Sequence, residues 1–301
     1  MMLVKKLPDG PVDVVGDVHG ELDALKQLLN VMGYSDFDVH PEGRKLVFVG
    51  DLTDRGPDSP GVIDFVDQLI TEELGYCVLG NHDLNLLLRE KKHDNGWFFG
   101  NEFEYEEQHI PQALADDSSR AKTIDLFQRL PLVLERDGLR IVHAHWDQES
   151  VDAVRGKSNA VEVFQQHALR IQTQCDKDSV DEIDTGLLHQ NDNPVKLLTS
   201  GPEQRVEVPF EASGKMRYEE RVKWWKGCDD ADDSLTVFGH YSLEQDVPRS
   251  GSAVCCDYGV AKRYQERIAP DFNGTYQLRL GAIRIPERVI IFDDGTKEKL
   301  Q

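Results

Sequence analysis

Short apolar runs stand at Pro11–Val15, Leu46–Val49 and Tyr76–Leu79, each followed by a polar, glycine-bearing cluster and then by apolar residues spaced three or four apart. That rhythm predicts strand, turn and helix, three times over. The first helix, Glu21–Met32, carries Leu22, Leu25, Leu29 and Met32 on one face. The second buries Val62, Ile63, Val66, Leu69 and Ile70, with Ser59 as its cap and Pro60 at its first position. In open α/β sheets ligands collect beyond the carboxyl ends of strands, and all three polar clusters fall there.

Further along, Asn85–Leu130 predicts mainly helix, with a mixed aromatic and acidic segment around Trp97–Glu107 to which the pattern gives no role. Leu132–Leu134 and Leu139–Val142 read as strands joined at Asp137-Gly138, the second ending in His143-Ala144-His145-Trp146. A polar helix is expected at Ala160–Gln174, with loops rich in Asp, Asn, Pro and Gly after it. Leu235–Phe238 and Ala253–Cys256 restore the strand pattern and end in Gly239-His240 and Asp257-Tyr258-Gly259. Tyr276–Ile285 and Arg288–Phe292 alternate like a closing antiparallel pair. No repeat or linker divides the chain, so it reads as one α/β domain over residues 1–301 with a helical and loop insertion at about 147–233.

Composition narrows the function. The 301 residues are 39% hydrophobic, enough for a sizeable core, yet no run approaches the roughly 18 apolar residues of a membrane span. The first ten residues have no apolar signal-peptide region. A net charge of -21 argues against nucleic acid as a partner and implies that any phosphate bound in the cleft needs local cations. Asp229-Asp230-Ala231-Asp232-Asp233 reads as a solvated loop, because it lacks the Gly and terminal Glu of a calcium loop. Cys77, Cys175, Cys228, Cys255 and Cys256 show no Cys-x-x-Cys spacing, which points away from a disulfide framework and toward a cytoplasmic location. Adjacent Cys255 and Cys256 would face opposite ways along a strand as buried thiols.

The strand ends gather Asp17, His19, Asp51, Asn81, His82, His143, His145, His240 and Asp257. One such histidine is ordinarily a satisfied structural residue, but this many N and O donors buried together without a cation would be costly. Carboxylate, imidazole and amide donors suit Mn²⁺, Fe or Zn²⁺ better than Ca²⁺, and the absence of cysteine argues against structural zinc. Two cations about 3.5–4 Å apart can activate a shared water and hold both oxygens of an in-line displacement at phosphorus.

Gly16-Asp17-Val18-His19-Gly20, Gly50-Asp51-Leu52-Thr53-Asp54-Arg55-Gly56 and Gly80-Asn81-His82-Asp83 resemble the signatures of calcineurin-like metallophosphoesterases, in particular the phosphoprotein-phosphatase branch with its bacterial protein phosphatases and symmetrical dinucleoside tetraphosphatases. The resemblance covers residues 11–90 closely and 139–146 and 235–292 recognisably, but not 147–233. It implies a central β-sandwich flanked by helices, with two divalent metal ions, most simply Mn²⁺, at the strand carboxyl ends. It also implies that Asp17 and His19 hold one metal, that Asp51 bridges, and that Asn81, His143 and His240 complete the second. His82 would protonate the leaving oxygen, Asp54 would hold its ring, Arg55 would grip phosphate, and Asp257 would support the ligands from behind. His145 departs from the pattern and leaves a choice between His143 and His145, with His143 favoured by its place nearer the strand end. Arg217 and Arg221 are candidates for a second phosphate-binding arginine, and Trp224-Trp225 reads as core packing ahead of nucleobase stacking.

The resemblance implies phosphomonoester hydrolysis by direct attack of a dimetal-bridged hydroxide, as in protein phosphatases. Asp54 is the reason for placing this ahead of symmetrical dinucleoside tetraphosphate hydrolysis. A catalytically silent metal- or nucleotide-binding protein stands last, since no ligand, acid or arginine of the motifs is missing. The partners so implied are a phosphoprotein, a small phosphoester or a dinucleoside polyphosphate, with no membrane.

Overall fold

In the computed structural model, successive side chains of each apolar strand enter two different cores, and this alternation builds the molecule. The structure describes residues 2–35, 39–92, 94–212, 215–227, 234–244 and 251–300. The acidic stretch 229–233 and Cys228 lie outside them.

The chain opens with β1 (Val4–Lys6) and β2 (Val12–Val15), then α1 (Leu22–Met32), β3 (Lys45–Phe48), α2 (Ser59–Thr71), β4 (Gly75–Cys77) and α3 (Asn81–Leu87). Next come α4 (Gly96–Phe99), a hairpin of β5 (Phe103–Tyr105) and β6 (Gln108–Ile110), α5 (Asp117–Arg129), and a second hairpin of β7 (Val133–Arg136) and β8 (Leu139–Val142). Four helices follow, α6 (Gln148–Val154), α7 (Ala160–Asp178), α8 (Glu182–Asn191) and α9 (Pro194–Ser200), and then the hairpin β9 (Glu203–Ala212) and β10 (Lys215–Arg221). β11 (Leu235–Phe238), β12 (Ala253–Cys255), α10 (Arg263–Ile268), β13 (Gly281–Ile285), β14 (Val289–Phe292) and β15 (Lys297–Lys299) complete the fold.

Two sheets result. One has the order β15-β14-β13-β2-β3-β4 and the other β1-β7-β8-β11-β12. Val12, Val14, Val47 and Val49 of the first meet Ile141, Val237, Val254 and Cys256 of the second in a core between the sheets. Their neighbours Val15, Phe48, Val142, Phe238 and Cys255 point outward and pack under the helices. Each such buried side chain contributes about 1.5–3 kcal/mol, so register is strongly specified on both faces. The expected β-sandwich flanked by helices is the one observed, and Cys255 and Cys256 do face opposite ways as buried thiols.

Parallel pairing of β2, β3 and β4 places their carboxyl ends side by side. β8, β11 and β12 are likewise parallel, which brings His143, His240 and Asp257 to one edge of the second sheet.

Local expectations needed correction at three places. The cap of α2 is Asp58, whose carboxylate accepts the Gly61 N–H at 2.8 Å, while Ser59 is the first helical residue and its Oγ accepts the Asp54 N–H at 3.0 Å. The supposedly helical 85–130 contains the β5–β6 hairpin, whose Phe103 and Ile110 are buried around Tyr264. Beyond residue 174, where loops were expected, stand the rest of α7 and then α8 and α9, because Asp181 and Asn193 serve as N-caps.

A buried charge cluster escaped the periodicity altogether. Asp13, fully buried in β2, accepts from Arg44 Nε at 3.1 Å, from Arg284 Nε at 3.0 Å and Nη2 at 3.1 Å, and from the Tyr34 hydroxyl at 2.9 Å.

Candidate metal centre and active site

The strand ends turn in strained backbone. His19, Asp51, Asp54, Arg55 and His240 all have positive φ, between 48° and 78°. Non-glycine residues are uncommon there, and such strain persists where surrounding structure holds it. Part of that hold is Asp83. Its carboxylate accepts the backbone N–H groups of Asp51 at 3.0 Å, Leu52 at 3.2 Å and Gly80 at 2.9 Å, lashing the turn after β3 to the one after β4.

Asp51 lies at the centre. Its Oδ1 accepts the His82 N–H at 2.8 Å, and its Oδ2 lies 3.3 Å from His143 Nε2 and 3.6 Å from His19 Nε2. On one side, His19 Nε2 is also 3.9 Å from Asp17 Oδ2, and Asp17 is held by the His240 N–H at 3.2 and 3.1 Å. On the other, the Asn81 side-chain oxygen lies 3.1 Å from His143 Nε2 and 2.8 Å from His240 Nδ1. Two histidine tautomers are set by carbonyls. His19 Nδ1 donates to Thr53 O at 2.8 Å and His143 Nδ1 to Val49 O at 2.7 Å, which leaves each Nε2 facing Asp51.

These donors suit a cation. Asp51, His143 and His240 present ligand atoms within 4.8 Å of one another, as do His19, Asp51 and His82. With the Asn81 oxygen turned inward, four electron-rich atoms converge, and turning the amide over lets its NH₂ donate to both rings and to Asp51. In the first orientation the pocket collects lone pairs that a cation would satisfy, and in the second the amide itself supplies the donors. Charge on the protein agrees. Burial works against the His143 imidazolium, but the Asp51 carboxylate outweighs it and raises the pKa to about 10, so the field that would hold a proton there would also hold a cation. Burial and then the Asp257 charge push Asp17 well above the usual carboxylate range. Burial and the Arg55 charge keep His19 neutral, and burial and the Arg221 charge do the same for His240.

Beside this cluster, His82 Nδ1 donates to Asp54 Oδ2 at 2.6 Å, while Arg55 Nη2 donates to His82 Nε2 at 3.1 Å. Burial opposes the His82 imidazolium, yet the Asp51 and Asp54 charges outweigh it and raise its pKa. Two partners went unread in the sequence. Trp97 Nε1 donates to Asp54 Oδ1 at 2.7 Å, and Asp94 Oδ2 accepts from Arg55 Nε at 2.8 Å. Their local sequence has no periodicity to announce them.

The remaining candidates divide. Asp257 is buried and accepts from the Ser242 N–H at 2.7 Å and the Gly259 N–H at 2.9 Å, bracing the turn after His240. Arg221 reaches the site, its Nη1 donating to His240 O at 3.3 Å. Arg217 stands exposed on β10 opposite Phe210. His145 packs against Trp224 with ring centroids 4.8 Å apart, and burial lowers its pKa to about 4. Trp224 and Trp225 pack on Phe238, consistent with the core reading.

Comparison with known proteins places these residues in a wider setting. Residues 10–272 match the family model described as calcineurin-like phosphoesterase. Among curated proteins, an asymmetrical bis(5'-nucleosyl)-tetraphosphatase of Oceanobacillus iheyensis is 38% identical over 146 residues, covering 44% of this chain and 55% of that one. Its Bacillus cereus counterpart is 35% identical over 159 residues, covering 50% and 63%. The chain thus spans about half the length of the curated relatives it matches. Among solved structures, a cold-active protein tyrosine phosphatase aligns over 100% of this chain and 81% of its own with a TM-score of 0.57. At 15% identity that likeness concerns the fold alone.

Proposed function

We infer the activity from one premise: the chain belongs to the calcineurin-like phosphoesterase family. We propose that it is a metal-dependent hydrolase of phosphate esters or anhydrides, and that dinucleoside tetraphosphates are its preferred substrate class. The observation that carries the reaction class is the convergence of Asp51, His143 and His240, whose ligand atoms lie within 4.8 Å of one another around the Asn81 amide, beside His82 and Arg55.

Asp17, His19 and Asp51 would hold one divalent ion, and Asp51, Asn81, His143 and His240 a second, with Mn²⁺ the natural occupant of so mixed a donor set. Bound ions of this kind supply an activated water and offset charge on phosphoryl oxygens. The chain's own residues do the rest. Arg55 grips the phosphate with its planar fork, and Arg221 supports it from the other side. Asp54 fixes the His82 tautomer, and His82, which takes up a proton at Nε2 once Arg55 has turned to the phosphate, gives that proton to the leaving oxygen. Asp83 and Asp257 keep the ligand turns in place.

The ranking of substrates is reversed from the one Asp54 suggested. In the structure Asp54 serves His82 and Trp97, and a positioned acid assists an alkoxide or a phosphate leaving group alike. Asp54 therefore does not discriminate, and the relatives' names favour the dinucleotide. Those names also specify asymmetrical cleavage, which replaces the symmetrical kind as the expectation.

We read residues 147–233 as an insertion in one catalytic unit, and a reducing, cytoplasmic setting suits the four buried thiols of Cys77, Cys175, Cys255 and Cys256. The deciding experiment compares turnover of diadenosine tetraphosphate and a phosphoserine peptide with Mn²⁺. Asymmetrical cleavage yields ATP and AMP, symmetrical cleavage yields two ADP, and a strong preference for the peptide would overturn the substrate assignment.

A further inference from the structure

Residues 94–97 hold both members of the Asp54-Arg55 pair. Trp97 fills the second oxygen of Asp54, and Asp94 takes hold of Arg55 twice. The Asp94 carboxylate accepts from Arg55 Nε at 2.8 Å, and the Asp94 carbonyl accepts the Arg55 backbone N–H at 3.4 Å. Asp94 is only 3% exposed, whereas the Arg55 side chain keeps 28% of its surface open. The arginine is thus anchored at its inner edge and open at its outer one.

A guanidinium has five N–H donors in a fixed plane, and which edge is occupied decides where the others point. With Nε on Asp94, Nη2 faces the site and lies against His82 Nε2 at 3.1 Å. His82 Nδ1–H is committed to Asp54, so Nε2 is the ring nitrogen left to face a leaving oxygen. In the structure Arg55 covers it. Phosphate oxygens, being charged, compete for the fork more strongly than a neutral ring nitrogen does.

We propose that Asp94 is a positioning residue: it pins Arg55 at Nε so that the outer fork can pass from His82 Nε2 to the substrate phosphate, uncovering His82 as the substrate arrives. This rests on the reading above that Arg55 grips phosphate. Asp54, His82 and Asp94 also lie close enough to suggest a third cation site. The permanent charge of Arg55 on Asp94, with both Asp54 oxygens already used by His82 and Trp97, already supplies the positive partner there.

The test uses the full chain with Mn²⁺, measuring orthophosphate binding by calorimetry and kcat and KM for p-nitrophenyl phosphate. Variants are Arg55→Ala, Asp94→Ala, Asp94→Asn and the Arg55→Ala/Asp94→Ala double, each with metal content determined. Arg55→Ala is expected to weaken orthophosphate at least about tenfold and Asp94→Ala about fivefold, with the latter raising KM more than it lowers kcat. Asp94→Asn keeps an acceptor for Nε and should recover part of the loss, and it also serves if the alanine variant fails to fold. In the Arg55→Ala background, Asp94→Ala should cost less than about twofold more. An undiminished effect in that background, or lost metal in Asp94→Ala, overturns this proposal alone. Unchanged orthophosphate binding in Arg55→Ala overturns the phosphate-grip reading and this proposal with it.

Discussion

Gly80 approaches Asp51 so closely that a Cβ on it would fall 2.2 Å from Oδ1 and 2.3 Å from the backbone nitrogen. Its φ of -90° is open to any residue, so glycine is required here for space, not for conformation. Gly80→Ala should therefore push the central carboxylate off its position. We expect loss of bound metal and about 1–3 kcal/mol of stability, measured by elemental analysis and urea unfolding. Gly186→Ala, within α8 with nothing near the added Cβ, should instead stabilise by about 0.5–1 kcal/mol.

The two histidines after β8 should separate cleanly. His143→Ala removes a ring whose nitrogen lies 3.3 Å from Asp51 Oδ2, and should lower metal content. His145→Ala removes a ring packed at a tilt against Trp224 and should leave metal content intact while reducing stability. Retained metal in the first variant, or lost metal in the second, would reverse the ligand assignment.

Trp97→Phe leaves Oδ1 of a wholly buried carboxylate without its donor. An unsatisfied buried group costs about 1–3 kcal/mol, and more when charged. Unfolding should show that cost. If Trp97 steadies the Asp54–His82 pair, kcat should fall while orthophosphate affinity stays near that of the parent protein.

Chelation should destabilise the protein. Asp17 and Asp51 are both buried, and burial first, then the Asp257 charge and to a smaller extent that of Asp51, raise the Asp17 pKa, a penalty that a bound cation would relieve. A ligand at a hundred times its Kd stabilises by about 2.7 kcal/mol per site. Melting temperature should fall with EDTA, recover with Mn²⁺, and rise with Mn²⁺ concentration; a Tm indifferent to all three would contradict a site built from these residues.

Far from the metal cluster, Asp13→Ala would leave Arg44 and Arg284 facing each other without their shared carboxylate. Removing one partner of a buried ion pair costs about 3–5 kcal/mol. Urea unfolding should register that loss with little change in KM.

Much of this protein was written in its order of residues. The apolar runs at Val12, Leu46 and Leu235 marked strands because both sides of each are buried, which favours apolar residues on both faces. The turns after them declared themselves because glycine and metal-type donors cluster there without any packing reason. Other features depended on chain segments meeting in space. Asp94 and Trp97 become partners of Arg55 and Asp54 only through contacts that span 39 and 43 residues, and no local spacing encodes such a meeting. Asp13 looked like an interruption in a strand until two arginines, 31 and 271 residues away, arrived to neutralise it. The sequence by itself determined the layers and the chemistry of the strand ends. Tertiary structure decided which polar groups share a charge, because electrostatic pairing depends on distance in space and burial, neither of which a linear pattern contains.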